Sequence, residues 1–344
     1  MTFYTRLLRP VLFRLEPERA HRLTLRALEL AGATPGMLAL LRWLFAAPDR
    51  PVQALGLKFA NPIGLAAGYD KDGRGLEALS ALGFGHLEAG TVTLLPQRGN
   101  PRPRVFRLPA DRALINRMGF PNAGGAALLR RLPPSGKRSY ILGVNLGKGA
   151  DTALEAAAAD YLALFEMFYS AADYLAVNVS SPNTLGLRRL QARDALDALL
   201  GDLRRAREAR LAAGEERKPL LVKLAPDMSA AELEQALQAV TGQGFDGVIA
   251  ANTTLDRQGL QDPAREQGGG LSGAPLRVRS TAMVREIVRL TSGRIPVIAA
   301  GGVFEARDVR EKLDAGACLV QVYTGLVYQG PGMVRRLLRD LAAA

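Results

Sequence analysis

Asn178, Ser180, Ser181 and Asn183 stand at the end of the apolar run Tyr174-Leu175-Ala176-Val177, with Pro182 and Thr184 among them. Buried strands carry Val, Ile and Leu, so amides and hydroxyls at a strand end need a reason. A plain strand-to-loop turn is one, since Asn, Ser and Pro are common in turns. The pattern recurs, however. Short apolar runs end in Ala67-Gly68 with Asp70 and Lys71 just beyond, in Glu88-Ala89-Gly90-Thr91, at Asn145, in Asn252-Thr253-Thr254, in Gly301-Gly302 and in Tyr323-Thr324-Gly325. Lys223 interrupts Leu220-Leu221-Val222 and Leu224-Ala225. A lysine inside a buried strand must meet an anion or a strong acceptor, unless it snorkels to a rim.

Such a residue set suits a phosphorylated organic cofactor and a planar polar substrate. Glycines at two neighbouring strand ends allow backbone N–H groups to approach a phosphate. Gly268–Gly273 is expected to add further exposed backbone. Asn side chains both donate and accept, matching amide or pyrimidine edges. A lysine beside the N1–C2=O edge of a flavin would stabilise its reduced anion.

Elements must position these residues. The candidate strands are Pro62–Ala67, His86–Val92, Ile141–Leu146, Tyr174–Val179, Leu220–Leu224, Gly247–Ala251, Pro296–Ala300 and Leu319–Val322. Helical patterns at Gly75–Leu82, Ala153–Ser170, Ala192–Ala213, Ala230–Gly242, Arg277–Leu290 and Ala306–Gly316 lie between them. Eight βα units point to an α/β fold, a (β/α)8 barrel with chemistry at the C-terminal strand ends. A doubly wound sheet is the alternative, but no Gly-x-Gly-x-x-Gly follows the first strand. Val52–Phe59 reads as a hairpin. The long connections 93–140 and 252–295 are expected to be lids or binding loops.

Residues 1–50 form a separate helical segment, and 51–344 the barrel. Phe3, Leu7, Leu8, Val11, Leu12 and Leu15 recur at helical spacing, with Pro10 expected to kink or split that helix. A second helix is expected from Pro17, ending at Gly32 and Pro35-Gly36. Leu, Phe, Trp and Arg in short helices fit either an interfacial membrane element or a cap on the main domain.

The net charge of +12 fits an Arg-rich surface or an anionic partner. Runs of four basic residues are missing and aromatics are 6%, which disfavours nucleic acid. One cysteine, Cys318, and two histidines, His21 and His86, exclude a disulfide framework and a multi-histidine metal site. Cys318 reads as a small buried core residue. Neither a signal peptide nor a membrane span is expected.

Over nearly its whole length the chain resembles class 2 dihydroorotate dehydrogenase, the quinone-linked, membrane-associated form. The resemblance is carried by Asn61–Lys71, Gly99–Leu108, Ile115–Phe120, Asn178–Thr184, Gly270–Gly273 and Tyr323–Gly325. It implies oxidation of (S)-dihydroorotate to orotate in pyrimidine (UMP) synthesis, with hydride passing from C6 to the N5 of FMN and electrons then to a membrane quinone. Implied FMN contacts are Ala67, Gly68, Thr91, Asn145, Asn178, Lys223, Ala251, Gly273, Gly302, Tyr323 and Thr324. Substrate contacts are Lys71, Asn116, Arg117, Met118, Gly119, Phe120, Asn178, Asn183, Asn252 and Thr253, with Lys71 on the carboxylate. Ser181 stands where the soluble class has cysteine, and is implied as the base for the C5 proton. Thr184 and Phe120 would shape the proton's exit, and Thr184–Arg188 would be a lid hinged at Gly186. His21 and Arg107 match positions near the quinone. The chain departs at Ala251, where Thr is common, and at Ala299-Ala300, where Val-Gly is more usual. A peripheral place on the cytoplasmic face of a bacterial membrane follows, with no metal and no nucleic acid. The oligomeric state stays open, a monomer included. The rivals are a soluble flavin barrel using fumarate or NAD, and a basic membrane- or nucleic-acid-binding protein with a degenerate barrel.

Overall fold

The computed structural model describes residues 3–343. A π-helical turn at Tyr4–Leu8 runs into α1 (Arg9–Arg14), followed by α2 (Pro17–Ala33) and α3 (Pro35–Phe45). The first segment changes from the π-helical turn to α1 directly before Pro10, which lies in the first turn of α1. The chain turns at Leu15, which is extended. Glu16 caps α2, its carboxylate accepting from the N–H groups of Glu18 and Arg19. Gly32 does not end α2. A Cβ there would lie 3.4 Å from the backbone of Ala78, so it is a close-packing position.

The hairpin is β1 (Val52–Ala54) and β2 (Leu57–Phe59). Then come β3 (Ile63–Leu65), α4 (Leu76–Ser80), β4 (His86–Val92), β5 (Val105–Leu108), β6 (Ala113–Asn116), α5 (Gly125–Arg131) and β7 (Ile141–Leu146). The middle of the chain holds α6 (Ala157–Phe168), β8 (Tyr174–Asn178), α7 (Arg193–Ala212), β9 (Leu220–Leu224), α8 (Ala230–Gly242) and β10 (Gly247–Ala250). The last part holds β11 (Gly270–Gly273), α9 (Arg277–Thr291), β12 (Val297–Ala300), α10 (Ala306–Asp314), β13 (Leu319–Val322), α11 (Thr324–Gln329) and α12 (Met333–Ala342).

Eight strands close a parallel barrel in the order β3-β4-β7-β8-β9-β10-β12-β13. These strands are mostly apolar and almost wholly buried, as both-face burial demands, and the polar residues they do carry, among them Glu88, Asn145 and Lys223, lie within them as exceptions. Helices cover the outside; α8, for instance, starts at a Ser229–Glu232 capping box.

The two long connections are not simple lids. They pair with each other, β11 against β6 and β6 against β5, in a three-stranded antiparallel sheet. Register Gly270↔Asn116 through Gly273↔Ala113 carries Asn116 and the turn after it over the barrel mouth. Gly270–Gly273 is therefore paired strand, against the expected exposed backbone. Cys318 is partly buried, its thiol donating to the Val297 carbonyl at 3.3 Å.

Helices α1–α3 leave apolar side chains in solvent. Phe3, Leu7, Val11, Leu30 and Trp43 are all more than half exposed, Trp43 at 74%. No helix among the described residues is long and apolar enough to cross a membrane.

Candidate active site

The barrel floor is polar. Asn178, at the end of β8, donates through Nδ2 to Thr91 Oγ1 at 2.8 Å and to Asn145 Oδ1 at 3.1 Å. Thr91 itself donates to Asn145 Oδ1 at 2.5 Å. Below them Glu88 accepts from Asn145 Nδ2 at 2.8 Å, Tyr174 OH at 2.9 Å and Gln321 Nε2 at 2.7 Å. Lys223 Nζ stands 3.9 Å from Glu88 Oε1 and makes no hydrogen bond among the described residues. Burial pushes its pKa down, with Glu88 opposing that shift.

On the wall, Lys71 Nζ donates to the Gly68 carbonyl at 2.7 Å and lies 3.7 Å from Met118 Sδ. Burial lowers its pKa to about 8, although Asp72 pulls the other way. Tyr323 donates to the same carbonyl at 3.3 Å, and burial lifts its phenol to about 12.

Ser181 is 5% exposed, and its Oγ accepts from the backbone N–H of Asn183 at 3.2 Å. Around it, Asn183 Nδ2 donates to Asn116 Oδ1 at 3.3 Å, and Asn100 Nδ2 holds the Asn183 carbonyl at 3.1 Å. Asn252 Nδ2 donates to Ser180 Oγ at 3.0 Å, which in turn meets Asn178 Oδ1 at 3.1 Å. The following loop is free only at its tip. Leu185 is 98% exposed and Gly186 takes φ +68°. Arg188 is tied down, its guanidinium donating to Ser180 O at 3.0 Å, Thr253 O at 2.9 Å and Asp227 Oδ2 at 2.8 Å. The expected lid is thus anchored at its C-terminal end.

Phe120 has φ +52°, a conformation that non-glycine residues adopt at a cost, and follows Gly119 at φ +66°. That kink brings both against the cavity. At the opposite rim, a Cβ on Gly302 would fall 2.3 Å from Arg277 Cα, so only glycine brings the chain so close to the start of α9. Thr324 and Gly325 open α11, where N–H groups lack intrahelical acceptors.

These parts surround one cavity with about 990 Å³ of empty space at the C-terminal ends of the strands. It is lined by Ala67, Gly68, Lys71, Thr91, Asn116, Met118, Gly119, Phe120, Asn178, Ser181 and Asn183. Lys223, Ala251, Asn252, Thr253, Gly273, Gly302, Tyr323 and Thr324 complete its expected lining. Thr253 Oγ1 and Thr184 Oγ1 are buried without a partner.

Four expected residues lie elsewhere. Asn145 is behind the lining, acting through Thr91 and Asn178. Arg117 points away, to Gln267 and the carbonyls of Gly268 and Pro103, with its guanidinium 4.6 Å from the Phe106 ring. His21 lines a neighbouring cavity, between α2 and the barrel, that shares Lys71 and Met118 with the first. It meets Tyr69 edge-on at 5.1 Å, and burial lowers its pKa to about 4. Arg107 lines neither; it caps α1 by donating to Phe13 O at 3.2 Å and Leu15 O at 2.8 Å. Sequence reasoning noted Glu88 and Ser180 at polar strand ends but gave them no role, and it missed Asp227.

The sequence model of the family described as dihydroorotate dehydrogenase matches residues 51–344. A dihydroorotate dehydrogenase (quinone) from Deinococcus deserti is 52% identical over 98% of this chain and 94% of its own length. One of the same name from Acidithiobacillus ferrooxidans is 51% identical over 97% and 93%. Among solved structures, ligand-free DHODH from Eimeria tenella superposes with a TM-score of 0.80 at 36% identity, covering 91% of this chain and 93% of that one.

Proposed function

The chain belongs to the dihydroorotate dehydrogenase family, and from that premise we propose that it oxidises (S)-dihydroorotate to orotate in pyrimidine synthesis, with FMN as resident acceptor and a membrane quinone as the final one. One observation carries the reading: a single cavity gathers Ser181, Lys71, Lys223 and four Asn-bearing strand or turn ends beside a glycine rim.

The residues fit FMN. Lys223 is buried with its donors unused, and the Gly302 rim excludes any side chain. Ala67, Gly68, Thr91, Asn178, Lys223, Ala251, Gly273, Gly302, Tyr323 and Thr324 would hold it, with Asn145 orienting Thr91 and Asn178. Ala251 offers only its methyl group. FMN, when bound, supplies a two-electron acceptor for hydride and a relay to the quinone.

The chain's own residues do the rest. Lys71 holds the substrate carboxylate, with the Met118 thioether against it. Asn116, Asn178, Asn183 and Asn252 bind the ring's amide edges, Thr253 adds its free hydroxyl, and Gly119 and Phe120 close over the ring. Arg117 braces that turn from outside. Ser181 Oγ removes the C5 proton. The Asn183 N–H on that oxygen steadies the charge that develops as the hydroxyl proton moves on, and the unpartnered Thr184 hydroxyl would relay it, taking that proton while passing its own toward solvent. A serine works this way only in a site shielded from water, and Ser181 is 5% exposed.

Residues 1–50 are the proposed membrane-associating segment. The exposed apolar face of α1–α3 would lie in the lipid interface on the cytoplasmic side, with Arg side chains on anionic headgroups. His21 and Arg107 would sit along the quinone's approach, Arg107 by keeping α1 docked. The test is direct: the purified full chain should show a bound-flavin absorbance band and reduce a quinone analogue only when dihydroorotate is added. A colourless, folded protein would refute the reading.

A further inference from the structure

Beneath the cavity lies a buried charge pair that the proposed chemistry leaves unexplained. Glu88 is 2% exposed and Lys223 is 5%. Burying one charge is expensive, and removing either partner of a buried pair is worse than removing both. Yet this pair does not close into a hydrogen bond. Its atoms stop at 3.9 Å, because Asn145, Tyr174 and Gln321 occupy the Glu88 oxygens. The carboxylate is held back, so the ammonium keeps its N–H donors for whatever fills the cavity.

Few other groups can decide the charge on Lys223. On its own strand β9 the neighbours are Leu and Val, and the paired residue on β10 is Ile249. On β8, Asn178 pairs with it, and Tyr174 is held protonated by burial, its pKa raised well above the usual phenol. From β4, His86 is kept neutral by burial, its pKa lowered to about 3. From β7 and β13 come only the neutral Asn145 and Gln321. Glu88 is the carboxylate that Lys223 faces.

We propose that Glu88 is a positioning residue for the reaction: the fixed counter-ion that keeps Lys223 charged while leaving its donors free for the bound cofactor. The effect depends on both halves. A nearer carboxylate would consume the donors. A missing one would leave a buried ammonium whose proton is easily lost, and the electron acceptor would then lose its cationic neighbour as pH rises.

The proposal rests on the FMN reading for one arm of its test and not for the other. In flavin-loaded full chain, the midpoint potential is measured from pH 6 to 9. With the counter-ion present, Lys223 stays charged throughout and the slope is constant. In Glu88→Gln, reduction should draw one additional proton onto Lys223. The plot should bend, with a further tenfold change in the reduction equilibrium per pH unit, about 30 mV for a two-electron couple. Glu88→Asp, which keeps the charge, should restore the straight line. A straight line in Glu88→Gln overturns the proposal. The second arm needs no flavin. By thermal unfolding, Glu88→Gln should lower Tm and adding Lys223→Met should recover most of the loss. A double variant as unstable as the single one also overturns it. Wild-type protein without flavin would refute the cofactor reading, and the thermal arm would still decide the role of Glu88.

Discussion

Lys71 serves two cavities at once, and its position makes a pH prediction. It is buried against Gly68 and Met118, and its proton is lost near pH 8 in the free protein. In the proposed pose the substrate carboxylate pairs with the ammonium, so kcat/KM for dihydroorotate should fall as pH rises through about 8. Once substrate is bound the carboxylate favours the charged form, so kcat should be spared. Lys71→Ala should remove that limb and cost about 2–5 kcal/mol in kcat/KM, the penalty for a carboxylate that loses its charged partner. Steady-state profiles of both proteins check this; an alkaline limb that survives in Lys71→Ala would assign it to another group. At this scale much of the site was legible, because hydroxyls, amides and lysines at apolar strand ends are conspicuous. Arg117 was not, since sequence adjacency to Asn116 and Met118 says nothing of which face a turn residue takes. Glu88 was noted at a strand end but given no role, because its partners come from β7, β8 and β13, which no local pattern joins.

Elements hold these residues through a few ion pairs. The base of the Ser181 loop is pinned by Arg188, whose three acceptors lie on three different segments. Arg188→Ala should leave flavin bound but loosen Ser181. The expected loss in flavin reduction rate corresponds to about 1.5–3 kcal/mol, the range for a charged hydrogen bond. Faster proteolytic cleavage within 182–188 should accompany it, and unchanged rate and cleavage would mean that the loop needs no latch. Helix α2 is held by Glu18, buried with Arg104 at 2.7 Å and joined by Arg102 at 3.0 Å. Burial opposes ionisation of Glu18, but the two guanidiniums outweigh it and hold its carboxyl below the usual range. A carboxyl lowered on folding contributes stability above its unfolded pKa, and that stability is lost as pH falls through the folded value. Glu18→Ala should therefore destabilise the protein by about 3–5 kcal/mol at neutral pH, and less in acid; equal losses in urea titrations at pH 7 and pH 4 would contradict it. Strand identity was readable from apolar runs, β4, β7, β9 and β13 to the residue. The pairing of the two long connections was not, because β11 is glycine-rich and its partner lies more than a hundred residues away.

The whole molecule joins a barrel that holds the candidate site to an N-terminal helical segment with an exposed apolar face, and the proposed reading divides the labour between them. Removing residues 1–45 should leave flavin reduction by dihydroorotate intact in a single turnover, while turnover with a long-chain quinone collapses. Binding of the full chain to anionic vesicles should weaken with salt. A flavin-loaded truncation that still turns over long-chain quinone at full rate would make the helices a cap and nothing more. The change of texture near residue 51 coincides with the passage from α3 to the first hairpin. The central claim is that Ser181 starts the oxidation of dihydroorotate at the barrel mouth. Anaerobic stopped-flow mixing of dihydroorotate with flavin-loaded wild-type and Ser181→Ala protein measures it most directly. The flavin band of the wild type should bleach in one turnover, and that of the variant should bleach about 10²–10⁴-fold more slowly at unchanged flavin content. Equal rates would contradict it.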